Sequence, residues 1–395
     1  MKKIILTILF SFSLLLGQKV WWVDMHNGND SNDGTTLAKA FKTVHKVLES
    51  NSYLTSGQVD TIKVMPSVDG SSSGYYDFGD DELNTATSND FVLIGVAGAD
   101  STIFDAESKN RHLFLDDGQS NKSIIKGITF RNGEATSWPD AGSIAIRNST
   151  NIQFIDCVWE NNSSTYGGYG GGAINIGNKA TPSFDLCVFD SNFMEHDGGS
   201  IYGGAISVEY PQNETDLKSA IKITRSTFKN NYVKAKLTAG GGAIYSRRSI
   251  DIENSVFINN GAMGNYNYSS GGQPTVGGAI SLDHQWYNNG SYKVGKAIIK
   301  NATFHGNYIK TLSSSDPGPM VGAAIAYGLW NSADAKTYIF NTIITGSRTL
   351  VVDDTTNYNS SSLSSSYKQR LIVGEIYDYN DLVIDYSNVQ APAIP

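Results

Sequence analysis

The chain of 395 residues carries 38 Asp and Glu against 30 Lys and Arg, a formal net charge of −8 that offers no basic footprint to a nucleic-acid partner. Its 40 Gly and 21 Tyr against 9 Pro suit many short strands joined by tight turns and exclude a helical or a disordered chain.

Met1, Lys2 and Lys3 precede an apolar run from Ile4 to Leu16 and the small residue Gly17. This is the layout of a secretory signal peptide over residues 1–17, and the run falls short of the roughly 20 residues that a bilayer-spanning helix needs. The reading predicts a mature chain without a transmembrane segment, secreted, periplasmic or held at the cell surface. Residues 20–23 read as a strand and residues 27–34 as a polar loop. Residues 38–48 read as an amphipathic helix with Phe41, Val44, Val47 and Leu48 on one side, placed to cap the open edge of an end coil. Segments 60–65 and 91–105 supply the first coils. The expected layout is a signal peptide (1–17), an N-terminal strand, loop and capping helix (18–59), a solenoid (60–390) and a short tail (391–395).

Two blocks then recur. One is Ala-Gly-Ser-Ile at 141–144, Gly-Gly-Ala-Ile at 171–174, 203–206, 241–244 and 277–280, and Gly-Ala-Ala-Ile at 322–325. The other is an aromatic followed three positions later by Asn: Trp159/Asn162, Phe189/Asn192, Phe228/Asn231, Phe257/Asn260 and Phe304/Asn307, with weaker copies at Phe130 and Ile344. A third alternating segment lies between them, as in residues 221–224, 250–253 and 297–300. A repeat of a few tens of residues decides an architecture, and three strands per turn stacked turn on turn make a right-handed parallel β-helix, an all-β solenoid. The Gly pairs permit a sharp corner, and Asn at the other corner tolerates left-handed dihedrals while its amide bonds the stacked backbone. Insertions swell two corners, one after each Asn (163–170, 193–202, 232–240, 261–276 and 308–321) and one after Gly-Gly-Ala-Ile (210–218 and 283–296). Variable loops on one face of a solenoid mark the binding face.

The paired Gly-Gly-Ala-Ile and Phe-x-x-Asn blocks resemble the repeats of the polymorphic outer-membrane protein family, which implies a β-helical adhesin. The opening Trp21-Trp-Val-Asp-Met-His-Asn-Gly-Asn-Asp, residues 40–44 (Ala-Phe-Lys-Thr-Val) and the segment from Phe91 to Ile103 resemble pectate-lyase-like β-helix proteins. That second resemblance implies polysaccharide chemistry, in which acidic residues hold calcium and a Lys or Arg takes a proton next to a uronate carboxylate.

Lys222, Arg225, Arg247 and Arg248 are the candidates for such a clamp and base, the alternative being ordinary solvated corner charges. Residues 29–34 resemble the start of a calcium loop, which makes Asn29 and Asp33 candidate Ca2+ ligands. The twelfth position is Ala40 rather than an acid, and Asx turns are the alternative. Trp138, Tyr166, Tyr169, Tyr266 and Tyr268 on one corner, with Tyr210, Trp286, Tyr287 and Trp330 on the other, are candidate sugar platforms, unless each ring only packs its own loop. Cys157 and Cys187 stand 30 apart, each two residues before the aromatic of its coil, and so stack in adjacent coils. A disulfide and a pair of buried thiols matching Ser226 and Ser255 both remain open. The expectation is a monomeric, secreted or surface-held protein that binds polysaccharide or cell-surface glycan through its loop face. The alternative is a polysaccharide lyase that cleaves a uronate polymer by β-elimination.

Overall fold

Apolar residues at every second position give each short segment one inward face as a strand. In the computed structural model these strands stack in register from coil to coil as a right-handed parallel β-helix. Residues 18–67, 74–79, 81–136, 141–168, 170–177, 179–264, 275–283, 285–288, 291–312, 320–327, 336–350, 372–374, 382–385 and 388–389 are described. The expected signal peptide and tail lie outside them, and no helix of the described residues is long and apolar enough to cross a membrane.

The first sheet runs from Val20–Val23 through Val59–Val64 and Asp90–Gly95 to Leu382–Asp385. It turns one column inward, Phe154, Phe184, Ile223, Ile252, Ile299 and Ile339 in successive coils. A second sheet carries the aromatics. Trp159, Phe189, Phe228, Phe257 and Phe304 stack with ring centroids 4.6–4.8 Å apart and planes within 5°, the spacing of one coil. All five are fully buried, each contributing about 1.5–3 kcal/mol. The Gly-Gly-Ala-Ile strands form a third wall, with Ile174, Ile206, Ile244, Ile280 and Ile325 in one buried column. The second Gly of that block is dictated by the backbone itself, since a Cβ at Gly204 would lie 2.0 Å from the carbonyl oxygen of Gly242 in the next coil.

The corner between the first two sheets is a single left-handed residue, such as Asp156 (φ 53°), Leu186 (φ 57°) or Asn254 (φ 53°). The Asn corner differs from the sequence expectation in one respect. The left-handed residue is the one before the repeated Asn, namely Asn161, Ser191, Asn230 and Asn259, and the repeated Asn points inward as a buried amide ladder. Asn231 Nδ2 donates to the Phe189 carbonyl at 3.0 Å and to Asn260 Oδ1 at 2.9 Å, while its Oδ1 accepts from the backbone N and Nδ2 of Asn192, both at 3.0 Å.

The first coils have three strands, but from Ile124–Lys126 to Ile325–Tyr327 each turn has more than three. The segments after the Asn, expected as loops, open with strands Phe193–His196, Tyr232–Ala235, Gly261–Gly264 and Tyr308–Thr311 that form a further parallel sheet. Short return strands such as Ile201–Tyr202 and Ala239–Gly240 form another. Met194, Ile201, Val233, Ala235, Ala239, Ala262, Ile309 and Ala323 pack between the two as a second core, so the expected loop face carries a ribbed fin. The corner after Gly-Gly-Ala-Ile does swell as expected. One insert folds as a short helix, Glu214–Lys218, capped by the Asn213 side chain. A later one folds as an antiparallel hairpin, Gln285–Asn288 with Ser291–Val294, packed against that helix.

At the N-terminal end, Phe41, Val44, Val47 and Leu48 are buried as the amphipathic pattern requires. The helix expected over 38–48 is only His45–Leu48, with a 3-10 turn at Leu37–Lys39. The Asp30 carboxylate accepts from the backbone N of Lys42 (2.8 Å) and Thr43 (3.0 Å), and Phe41 N donates to the Trp22 carbonyl (2.8 Å). Those bonds take the donors that a longer helix would have used.

Candidate functional site

The residue that follows each Gly-Gly-Ala-Ile strand forms a column at the swollen corner: Arg147, Gly177, Glu209, Arg247 and Asp283 in successive coils. Arg147 is 2 % exposed and reaches past Gly177 to Glu209, with Nη1 2.5 Å from Oε2. A Cβ at Gly177 would sit 1.9 Å from that Nη1. Arg247, also 2 % exposed, donates from Nε to the Tyr245 hydroxyl at 2.7 Å and lies 3.2 Å from Asp283 Oδ2. The Tyr245 hydroxyl donates to the same carboxylate oxygen at 3.0 Å. The Tyr210 ring covers the Arg247 guanidinium, with its centroid 3.4 Å from Cζ.

Arg248 is buried too, at 1 % exposure, beside Ser249, whose N and Oγ donate to the carbonyl of Leu217 in the short helix. Its guanidinium meets no hydrogen-bond acceptor among the described residues, and burial pulls its pKa down to about 10 against the opposing charges of Asp216 and Glu209. Arg247 and Arg248 are therefore not solvated corner charges. The other two basic candidates lie elsewhere. Arg225 is the left-handed residue of the next corner and pairs with Asp185 through both Nε and Nη2. Lys222 is in the first sheet between Ser183 and Asp251, where burial pushes the Asp251 carboxyl up.

Lys222 also lines an open groove of about 570 Å³ over four coils, the last of them the one whose first-sheet strand follows the helical insert. Its walls are Ser120 and Asn121, then Asn151 and Gln153, then Thr181, Pro182 and Ser183, then Ser219 and Ala220. A neighbouring cavity of about 530 Å³ is lined by Asn148, Ser149, Lys179, Gln212 and Asn213. Both end against residues that flank the insert, so the Glu214–Lys218 helix stands as a step on a polar shelf. Amides and hydroxyls recur on that shelf at the coil spacing, about 4.8 Å; Ser120 Oγ, Thr181 Oγ1, Gln153 Nε2 and Ser219 Oγ already donate to Asp90, Asn151 and the carbonyls of Asn121 and Thr215, so these groups face an elongated ligand chiefly with their acceptor lone pairs.

Of the aromatic candidates, Tyr166 is exposed on the fin beside Gly167. Trp138, Tyr169, Tyr266, Tyr268 and Trp330 lie outside the described residues, as do the side chains of Trp286 and Tyr287, whose backbones belong to the hairpin strand Gln285–Asn288. Sequence reasoning missed a further ladder on the fin. Phe193 and Tyr232 stack 5.1 Å apart at 4°, and the Tyr308 ring occupies the space over Gly261. Its signal was the aromatic residue directly after Asn192, Asn231 and Asn307. Rings stacked face to face offer edges rather than faces to a sugar, so this ladder braces the fin.

Asn29 Oδ1 accepts from Ser31 N at 2.9 Å, an Asx turn. The Asp33 carboxylate accepts from Thr35 N and Oγ1 and pairs with Lys39 at 3.0 Å, contacts led by the Thr35 bond that hold its pKa down at about 2. Cys157 and Cys187 carry free, buried thiols. Burial pushes Cys157 up to about 12 and Cys187 well above the ordinary thiol range, which makes both inert as nucleophiles.

No curated protein matches this sequence. Among solved structures, a rhamnogalacturonan lyase is similar at 14 % identity with a TM-score of 0.34, covering 82 % of this chain and 87 % of that one. A polysaccharide lyase of family PL6 from Pseudopedobacter saltans is similar at 12 % identity with a TM-score of 0.24, covering 86 % of this chain and 90 % of that one. Over residues 84–279 the sequence matches the family model described as right handed beta helix region, in keeping with the stacked parallel coils described above.

Proposed function

We propose that this protein is an exported carbohydrate-binding β-helix that takes an extended polysaccharide on the polar shelf beside the Glu214–Lys218 insert. The observation that carries this reading is the groove walled from four successive coils by Ser120, Asn121, Asn151, Gln153, Thr181, Ser183, Ser219 and Lys222. These hydroxyls and amides chiefly accept, which suits the donor hydroxyls along the edge of a sugar chain, and the Lys222 ammonium supplies one point charge. The apolar run at the N-terminus and the adhesin-like repeats support a place outside the cell.

The test is electrophoresis of the mature protein through gels containing polygalacturonate, alginate, xylan or glucomannan, with ultraviolet absorbance followed in parallel for unsaturated uronate ends. Retardation by at least one polymer without growth in absorbance is the expected outcome, and the double variant Gln153→Ala, Lys222→Ala weakens it roughly tenfold, the scale of a central interface contact. Unretarded migration in every gel overturns the reading. Absorbance growth on a uronate polymer replaces it with β-elimination and makes Lys222 the first base to mutate.

A further inference from the structure

A cavity apart from the shelf lies at the N-terminal end, between the turn that leads into the His45–Leu48 helix and the strand Tyr76–Asp77. We infer that it is a binding site for a single phenolic ring. Its volume is about 140 Å³, close to the ~150 Å³ of an apolar protein cavity that takes up benzene. One six-membered ring fits such a space and an extended chain does not. Met25, Val44, Tyr76 and Phe78 line it, the last three buried in the core, and the His45 ring lies against Phe78 with centroids 4.8 Å apart.

The polar groups decide which ring. Those in the walls are already engaged: the Tyr76 hydroxyl donates to the Met65 carbonyl at 2.8 Å, Thr43 Oγ1 to Asp30 at 3.0 Å, and the Tyr75 hydroxyl to Glu107. A pyranose would bring several hydroxyls against these walls, and each one buried without a partner opposes binding. A phenol buries an apolar ring and brings one hydroxyl. The rim carries the ammonium of Lys42 and the carboxylate of Asp77, both exposed, and the imidazole of His45. Asp77 Oδ1 accepts from Gly79 N at 2.7 Å, and its Oδ2 has no donor among the described residues. His45 Nε2 lies 3.3 Å from the Asp81 carbonyl oxygen, and donating there leaves Nδ1 as an acceptor. Asp77 repels a ring that carries a carboxylate, and Lys42 repels one that carries an ammonium. A hydroxyl donates to Asp77 or His45 and accepts from Lys42.

Isothermal titration of the mature protein with 4-methylphenol tests the site, with 4-methylbenzoate, benzylamine and methyl β-glucoside titrated alongside. The expected result is saturable binding of 4-methylphenol at a dissociation constant of about 1 mM, the scale of a fragment-sized ligand, with the other three roughly tenfold weaker or more. Val44→Phe puts a ring of its own into the space and is expected to weaken binding roughly tenfold or more. The double variant Lys42→Ala, Asp77→Ala, confined to the exposed rim, is expected to weaken it roughly fivefold. Thermal unfolding checks the fold of each, and should Val44→Phe unfold, the rim variant carries the test alone. No saturable heat with 4-methylphenol, equal binding of the glucoside, or unchanged binding in either variant that keeps its fold overturns the site. N-acetyltyrosinamide separates the sources of the ring: binding as tight as that of 4-methylphenol points to a tyrosine side chain on a protein, and exclusion to a free phenolic molecule. None of these outcomes depends on whether the shelf holds a polysaccharide.

Discussion

His112 is fully buried between coils, with Nε2 3.1 Å from the carbonyl oxygens of both Phe104 and Arg131 and Nδ1 3.0 Å from Ser143 Oγ. Two carbonyls facing Nε2 require a proton there, and in the neutral ring that leaves Nδ1 to accept from the serine hydroxyl. Burial pulls its pKa down to about 4 from the ordinary 6.5. Because the folded value lies below the unfolded one, the unfolded chain takes up the proton first. The stabilisation is complete above pH 6.5 and is lost as the pH falls from there through about 4, a change on the order of 3 kcal/mol. The melting temperature is expected to drop across that window, and His112→Gln to flatten the drop. An unchanged slope in the variant would assign the acid sensitivity to other groups.

At the scale of the element, the Asn ladder shows why one amide per coil is worth keeping inside a hydrophobic column. Asn162, Asn192, Asn231, Asn260 and Asn307 are all fully buried; each of the first four binds the next, and all five donate to a carbonyl of the preceding coil. Asn231→Ala strips the Phe189 carbonyl and both Asn192 donors of partners at once. At ~1–3 kcal/mol for each buried group left unsatisfied, urea unfolding is expected to register a loss of about 3 kcal/mol or more, and a loss under ~1 kcal/mol would mean that water replaces the amide. This ladder and the aromatic one were legible in the sequence because each repeat places one chemically distinctive residue at a fixed offset within a short strand. The fin was not, because its inward residues, such as Val233 and Ala235 or Ile309, make alternations of only two to four residues before an insert of variable length. Nor was the burial of Arg247 and Arg248 legible. What covers Arg247 is Tyr210 from the coil before, and its ionic partner Asp283 comes from the coil after. The groove escaped for the same reason, since its four walls are drawn from residues about 30 to 40 positions apart, a proximity that only the coil register creates.

For the whole molecule, repetition implies that stability is close to a sum over coils and the interfaces between neighbours. The inserts break that uniformity without disturbing it: they leave the register of the first sheet continuous through Ser183, Lys222 and Asp251 while raising a step on one corner. Function on this reading is therefore a matter of where the winding is interrupted. One contact also departs from the nearest-neighbour rule. Arg147 and Glu209 belong to coils two apart and join across Gly177, which has no side chain to block the path. A solenoid frays from its ends one turn at a time, and this clasp is expected to make three turns open together. The amides of Ile146, Ile176 and Val208 are then expected to exchange with solvent deuterium as a group, and Arg147→Met to let them exchange separately. Unravelling from either end is then expected to pause at this stretch of the winding, with the coils outside the clasp opening first.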